Sequence, residues 1–237
     1  MSSASPASAS RVAPLLPLLS SPSLEKNGAS SMAVSDFLDV CRAILPVVDN
    51  LGVAFAIVRS DVGGNIDRVA ARLSSSGDVL TIEGFLEACI KDGDIRNNSG
   101  PTKALLWLTR ANLFLVLMLE NAARAEAMWR DAGAAEAAEA AAQASVGEVC
   151  TTVGECANAA YASTLKPYHG FLASSAFSVA LLAVPSAKGF VGAMLGGDDN
   201  TARLQKDLSD FASKWRQVLE SVKAKLEEKD CWFEDVV

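Results

Sequence analysis

The stretch ALLWLTRANLFLVLML, residues 104–119, decides what kind of fold this chain can adopt. On hydrophobicity alone it invites reading as a membrane span, which needs about 20 consecutive apolar residues. Thr109, Arg110 and Asn112 interrupt it, so the apolar run falls short. What remains is a long apolar helix inside a helical domain, opened by Pro101 and Thr102 and running to about Arg124. The next most apolar stretch, FLASSAFSVALLAV (171–184), is also too short to span. Half of the 237 residues are hydrophobic and the mean hydropathy is +0.23. Without a span, that apolar content must form a core or line an internal cavity for an apolar ligand.

Outward from this helix the periodicity is helical almost throughout. VSDFLDVCRAILPVVDNLG predicts a helix capped by Ser35, with Phe37, Leu38, Cys41, Ile44 and Leu45 on its apolar side and Pro46 ending or kinking it. A second helix runs from about Gly52 to Leu73, and TIEGFLEACIK is a short one capped by Thr81. Residues 125–162 are dominated by alanine, which favours helix but gives little to bury. A helix with a surface-loop-like insertion around 131–147 is expected there. Pro167 starts a further helix that Pro185 ends, AKGFVGAML makes a short one, and residues 201–229 make a long amphipathic one. No segment sustains strand alternation, so the expected fold is all-α, in two packed helical layers.

The size admits one sizeable domain or two small ones. A net charge of −7 removes the electrostatic footprint of nucleic-acid binding. The five cysteines are scattered and odd in number, and a single histidine cannot build a Cys/His zinc site. Reduced thiols, no metal and no cofactor are therefore expected. Residues 1–31, rich in Ser, Pro and Ala, favour a disordered tail over an organelle transit peptide, ahead of a domain over 32–237.

Three stretches carry polar groups in patterns that suggest a site. RSDVGGNIDRV places Asp61, Asn65 and Arg68 at i, i+4 and i+7, on one helix face. A carboxylate, an amide and a guanidinium in that order form a hydrogen-bonding strip, although a solvated polar face has the same spacing. Gly63 and Gly64 cost about 1 kcal/mol each in a helix interior, which close approach of a backbone or ligand would explain. TKALLWLTRANLFLVLMLE repeats the spacing with Lys103, Trp107 and Arg110. A tryptophan between two cations can pack a planar or sugar-like face, or be core while the cations reach water. The third stretch, YHGFLASSAFSVALLAVP, holds His169, the one histidine of the chain.

SDVGGNI, ALLWLTRA and YHGF…ALLAVP, in this order and at these separations, resemble the glycolipid transfer protein superfamily, which includes a ceramide-1-phosphate transfer branch and plant accelerated-cell-death relatives. FLDVCRAILPVVDNLG resembles the family's opening helix. The resemblance covers roughly Ala33 to the C-terminus and implies a two-layer helical sandwich, with a polar headgroup pocket above an apolar channel for lipid chains. By the same resemblance Asp61 matches the aspartate that holds the ceramide amide N–H, and Asn65 the asparagine that also contacts the headgroup. Arg68 falls where glycolipid binders have a lysine, and His169 matches the histidine that donates to the ceramide carbonyl. Trp107 stands where glycolipid binders stack a sugar and ceramide-1-phosphate binders have an arginine. Lys103 stands at the other position of that arginine pair. The headgroup end is thus a hybrid of the two types. Phe171, Phe190 and the C-terminal CWF stretch (231–233), with Trp232 at its centre, are candidates for insertion into a bilayer surface.

The expectation that follows is a cytosolic, monomeric, non-enzymatic carrier that moves a sphingolipid, ceramide-1-phosphate or a simple glycosylceramide, between membranes it touches only transiently. A lipid-sensing adaptor that binds but transfers slowly is the alternative. A hydrolase is disfavoured because no Ser or Cys nucleophile joins Asp61 and His169.

Overall fold

The computed structural model describes residues 10–25, 28–52, 55–76, 80–93, 95–144 and 150–236. Its helices are α1 (Pro22–Glu25), α2 (Val34–Asp49), α3 (Ala56–Ser76), α4 (Ile82–Lys91), α5 (Pro101–Arg124), α6 (Glu126–Asp131), α7 (Ala135–Ala144), α8 (Val153–Thr164), α9 (Phe171–Leu182), α10 (Ala187–Leu195) and α11 (Thr201–Glu228). Among the described residues the β structure is limited to an isolated bridge between Ala33 and Thr81. The fold is the expected all-α sandwich, with α5 at its centre packed against α3, α8 and α11. α2 covers α3, while α7 packs on α6 and α11.

α5 is long and apolar enough to cross a membrane by length and composition, yet 89% of its most apolar window is buried inside the protein. The polar residues that interrupt its sequence explain how it can sit there. Thr109 donates to the Leu105 carbonyl at 2.8 Å and Asn112 to the Leu108 carbonyl at 2.8 Å, so each polar group is satisfied on its own helix. Asn112 also accepts from the Trp215 indole N–H at 3.2 Å, which ties α5 to α11.

Several boundaries differ from expectation for local reasons. α2 begins at Val34, without a side-chain cap, and runs through Pro46 to Asp49. Pro46 forgoes one i→i−4 hydrogen bond, only three helical residues follow it, and Asn50 closes the end by donating to the Pro46 carbonyl at 2.6 Å. α3 begins at Ala56, because Gly52 adopts a φ of +104° and turns the chain. It extends through the serines expected to end it, since Ser74, Ser75 and Ser76 donate back to carbonyls of Ala70 and Arg72. Thr81 caps α4 as expected, accepting from the Gly84 N–H at 3.2 Å. Pro167 opens only the short 3-10 turn Lys166–Tyr168; α9 starts at Phe171, leaving His169 extended between the two.

Three larger expectations are corrected. The N-terminal segment was expected to be disordered, but from Ser10 it packs on the domain, burying Val12, Leu15, Leu19 and Leu24. Ser21 and Ser23 both donate to Asp36 at 2.5 Å, and Ser10 donates to Asp207 at 2.6 Å. Composition weighted the serines and prolines; the leucines between them supply the burial that holds the segment down. Within the alanine-rich insertion, Ala135–Ala144 form α7 rather than a surface loop, with Ala137, Ala138 and Ala141 buried, and residues 145–147 lie outside the described residues. Alanine buries little per residue, yet it lets helices approach closely. Finally, Cys150 and Cys156 are joined in a disulfide rather than reduced, while Cys41, Cys89 and Cys231 are free and buried. The turn capped by Thr152 at the start of α8 brings the pair within 5.2 Å between Cα atoms, inside bonding range.

Candidate functional site

α3, α5, α9 and the segment before α9 meet at a cavity of about 220 Å³ whose lining includes Asp61, Trp107 and His169. The rest of the lining is apolar, with Val58, Ala111, Phe177 and Ala180 among it. The helical spacing of α3 produces the predicted strip. Asn65 donates from Nδ2 to Asp61 Oδ2 at 3.1 Å, and Arg68 donates to Asn65 Oδ1 at 2.7 Å. Gly63 has open space where a side chain would be, and Gly64 faces the Arg68 guanidinium at 3.7 Å. Among the described residues, no backbone outside α3 comes within 4 Å of where either Cβ would stand, and Gly64 borders the groove that Ser60, Asp61 and Arg68 share.

His169 is held by aromatic rings. It stacks on Trp107 with centroids 5.8 Å apart, meets Phe177 edge-on at 5.7 Å, and its Nδ1 lies 3.2 Å from the Tyr161 hydroxyl. Tyr161 in turn stacks on Phe177 at 4.4 Å. Burial pushes the imidazole below its usual range, and the nearby Arg110 cation adds to this, so the ring is neutral at pH 7. Asp61 shifts the other way: burial raises its carboxyl pKa, against the opposing pull of Arg68 and the Asn65 hydrogen bond. Asp61 is exposed to solvent, yet the protein atoms packed around its carboxyl still decide the direction.

Lys103 and Arg110 have different surroundings from those the sequence suggested. Both are buried, and neither lines the cavity. Lys103 forms an ion pair with Asp235. Arg110 donates to the Phe233 carbonyl and lies over the rings of Tyr168, Trp107 and Trp232, at 3.4, 5.0 and 4.8 Å from their centroids. Burial draws the guanidinium pKa down to about 10, opposed by Tyr168 and then by Glu234 and Asp235. Trp232 donates to the Tyr168 hydroxyl at 3.3 Å and is half-buried, bracing this cluster. Phe190 is fully buried core. Phe171 stands out at 85% exposed.

Tyr161, Tyr168, Phe177 and Asp235 were not picked out from sequence, and Phe233, a candidate for bilayer insertion, is instead buried against Lys103 and Arg96. The chain has two tyrosines, both within eight residues of His169, and that clustering was the available signal. Nothing in the local pattern around Asp235 announces a pairing with a lysine 132 residues away.

A family model described as "Glycolipid transfer protein (GLTP)" matches residues 32–196. Arabidopsis thaliana Glycolipid transfer protein 1 is 33% identical over 187 residues, covering 78% of this chain and 81% of its own. A solved structure of FAPP2, described as selecting simple glycosphingolipids with the GLTP fold, superposes with a TM-score of 0.72 at 25% identity, covering 98% of each chain. Mouse ceramide-1-phosphate transfer protein in its apo form gives a TM-score of 0.74 at 16% identity, covering 95% and 98%, and shows the shared fold alone. The matched span carries the Asp61 strip, the Trp107 helix and His169 within one helical sandwich, and the chain belongs to the glycolipid transfer protein family.

Proposed function

We propose that the protein carries a sphingolipid between membranes, with the ceramide amide clamped between Asp61 and His169. The observation that carries this reading is one cavity whose lining combines the Asp61 carboxyl and the His169 imidazole with apolar side chains. An amide offers one donor and one acceptor. The Asp61 carboxylate accepts the amide N–H, and an imidazole N–H donates to the carbonyl. In the tautomer protonated on Nε2, His169 Nδ1 accepts from the Tyr161 hydroxyl 3.2 Å away and Nε2–H is free to serve as that donor. An ester-linked lipid has no N–H for Asp61, so the pair selects for the amide linkage. No covalent step is needed.

The headgroup we assign is a simple sugar. Trp107 supplies a flat ring at the mouth, the Asp61–Asn65–Arg68 strip supplies hydroxyl partners, and Lys103 is already engaged by Asp235. The naming of the Arabidopsis relative as a glycolipid transfer protein agrees with this choice. Delivery falls to α9. Its inner face, with Ala173, Ala176 and Phe177, lines the cavity, and its outer face exposes Phe171, Leu172, Val179 and Leu182. A single helix with a cavity-lining side and an uncovered apolar side suits brief contact with a bilayer.

Transfer of fluorescent glucosylceramide between vesicles tests the reading. Asp61→Val and His169→Leu should each slow transfer at least about tenfold with the helical circular dichroism unchanged, the loss expected for one hydrogen bond involving a buried or charged group. Wild-type rates in both variants would refute it.

A further inference from the structure

The two buried cations of α5 are covered by the chain's own C-terminal segment, Cys231–Asp235. The Asp235 carboxylate pairs with Lys103 Nζ, while the Phe233 ring lies 4.9 Å from that ammonium and 4.8 Å from the Arg96 guanidinium. The Phe233 carbonyl accepts from Arg110, and Trp232 is pinned to the Tyr168 hydroxyl. Lys103 has 6% of its side chain exposed, so this is not a loose surface pair. Arg110 still has an Nε donor without a hydrogen-bond partner among the described residues. Buried positive charge thus sits one turn to either side of Trp107, held in balance by carboxylates from the last residues of the chain.

A phosphate-bearing headgroup seated beside Trp107 would need that positive charge. To reach it, the phosphate must displace the Asp235 carboxylate and tolerate Glu234 next to it, two like charges at close range. A sugar makes no such demand, because it carries no charge for Lys103 to balance. We propose that Asp235 is a specificity-determining residue: its carboxylate occupies Lys103 and so excludes phosphate-bearing sphingolipids from the headgroup site. The inference rests on the sphingolipid reading above and deepens it. The same geometry implies that the cations remain in place, ready for an anion once the carboxylate is gone.

The experiment titrates the full chain with short-chain glucosylceramide and with short-chain ceramide-1-phosphate, following tryptophan fluorescence. It compares wild type, Asp235→Asn, Asp235→Ala and the double variant Asp235→Asn/Lys103→Met. Wild type should bind glucosylceramide at least about tenfold more tightly than ceramide-1-phosphate, a margin of about 1.4 kcal/mol. Both single variants should hold glucosylceramide affinity within about twofold and gain about tenfold for ceramide-1-phosphate, a gain the double variant should lose. Asp235 is half-exposed, so these substitutions spare the core. Unchanged ceramide-1-phosphate affinity in both single variants, with glucosylceramide binding intact, overturns the assignment of Asp235 alone. So does a wild type that binds the two lipids equally. A wild type that binds neither overturns the sphingolipid reading itself.

Discussion

α5 and α9 depart from the usual distribution of polar and apolar groups in opposite directions. α5 buries a lysine and an arginine at 5% and 2% exposure, whereas α9 leaves Phe171, Leu172, Val179 and Leu182 at 85, 82, 67 and 86%. Each departure is costly in isolation. The difference lies in compensation. The α5 cations find a carboxylate, a carbonyl and four aromatic rings within the chain. The outer face of α9 remains open to solvent. The anomaly of α5 is therefore structural first and available to a ligand only through exchange. That of α9 is addressed to something outside the molecule.

If that contrast is right, the largest effect on stability comes from α5. Arg110→Ala removes the guanidinium from between Tyr168, Trp107 and Trp232 and leaves the Phe233 carbonyl without its donor. A desolvated cation–π contact and a charged hydrogen bond together predict a loss of about 3 kcal/mol in urea unfolding. A loss below about 1 kcal/mol would break the comparison, because Arg110 would then be as uncommitted as the α9 face.

How much of this was legible in sequence depended on whether the cause was local. α5 was readable to the residue, since Pro101 fixes its start and the polar interruptions at Thr109 and Asn112 argue against a span. The Asp61–Asn65–Arg68 strip was readable because one helix sets its spacing. The partnering of Lys103 and Arg110 was not, because the groups they meet lie at the far end of the chain and arrive there only through the packing of α11 against α5. The ordered N-terminal segment escaped for a different reason: Val12, Leu15 and Leu19 keep an i, i+3, i+7 spacing, but Pro14, Pro17 and the surrounding serines dominate the composition. His169 shows both sides. Its importance was suggested by family resemblance, but the extended residue between a 3-10 turn and α9, with Tyr161 behind it, is a tertiary fact.

The α9 face sharpens the comparison from the other direction. Phe171→Ser combined with Leu182→Ser should leave the unfolding free energy within about 0.5 kcal/mol of wild type, as exposed substitutions do. The same variant should slow vesicle-to-vesicle transfer of glucosylceramide about tenfold, since two large apolar side chains lose their burial in the bilayer surface. A drop in stability of more than about 1 kcal/mol would show that this face packs against the chain in solution. Unchanged transfer would remove it from the delivery step.

The smallest effect tests whether the α5 compensation is electrostatic. Hydrogen bonding to Lys103, and then its charge, holds the Asp235 carboxyl below its ordinary value of 3.8, with Arg96 and Arg110 acting in the same sense. A depressed carboxyl stabilises the fold above its unfolded-state pKa and ceases to do so as pH falls through the folded-state value. The contribution should therefore be complete at pH 6 and fade below pH 3.8. Comparing the urea midpoints of wild type and Asp235→Asn at pH 6 and at pH 3 isolates it. Asp61, raised by burial, titrates in both proteins and cancels in the difference. The gap should be small at pH 6, because Asp235 is half-exposed, and smaller at pH 3. A gap that persists unchanged at pH 3 would mean that the segment is held by Phe233 and Trp232, with the carboxylate incidental, and that the cations of α5 owe their burial to aromatic rings rather than to paired charge.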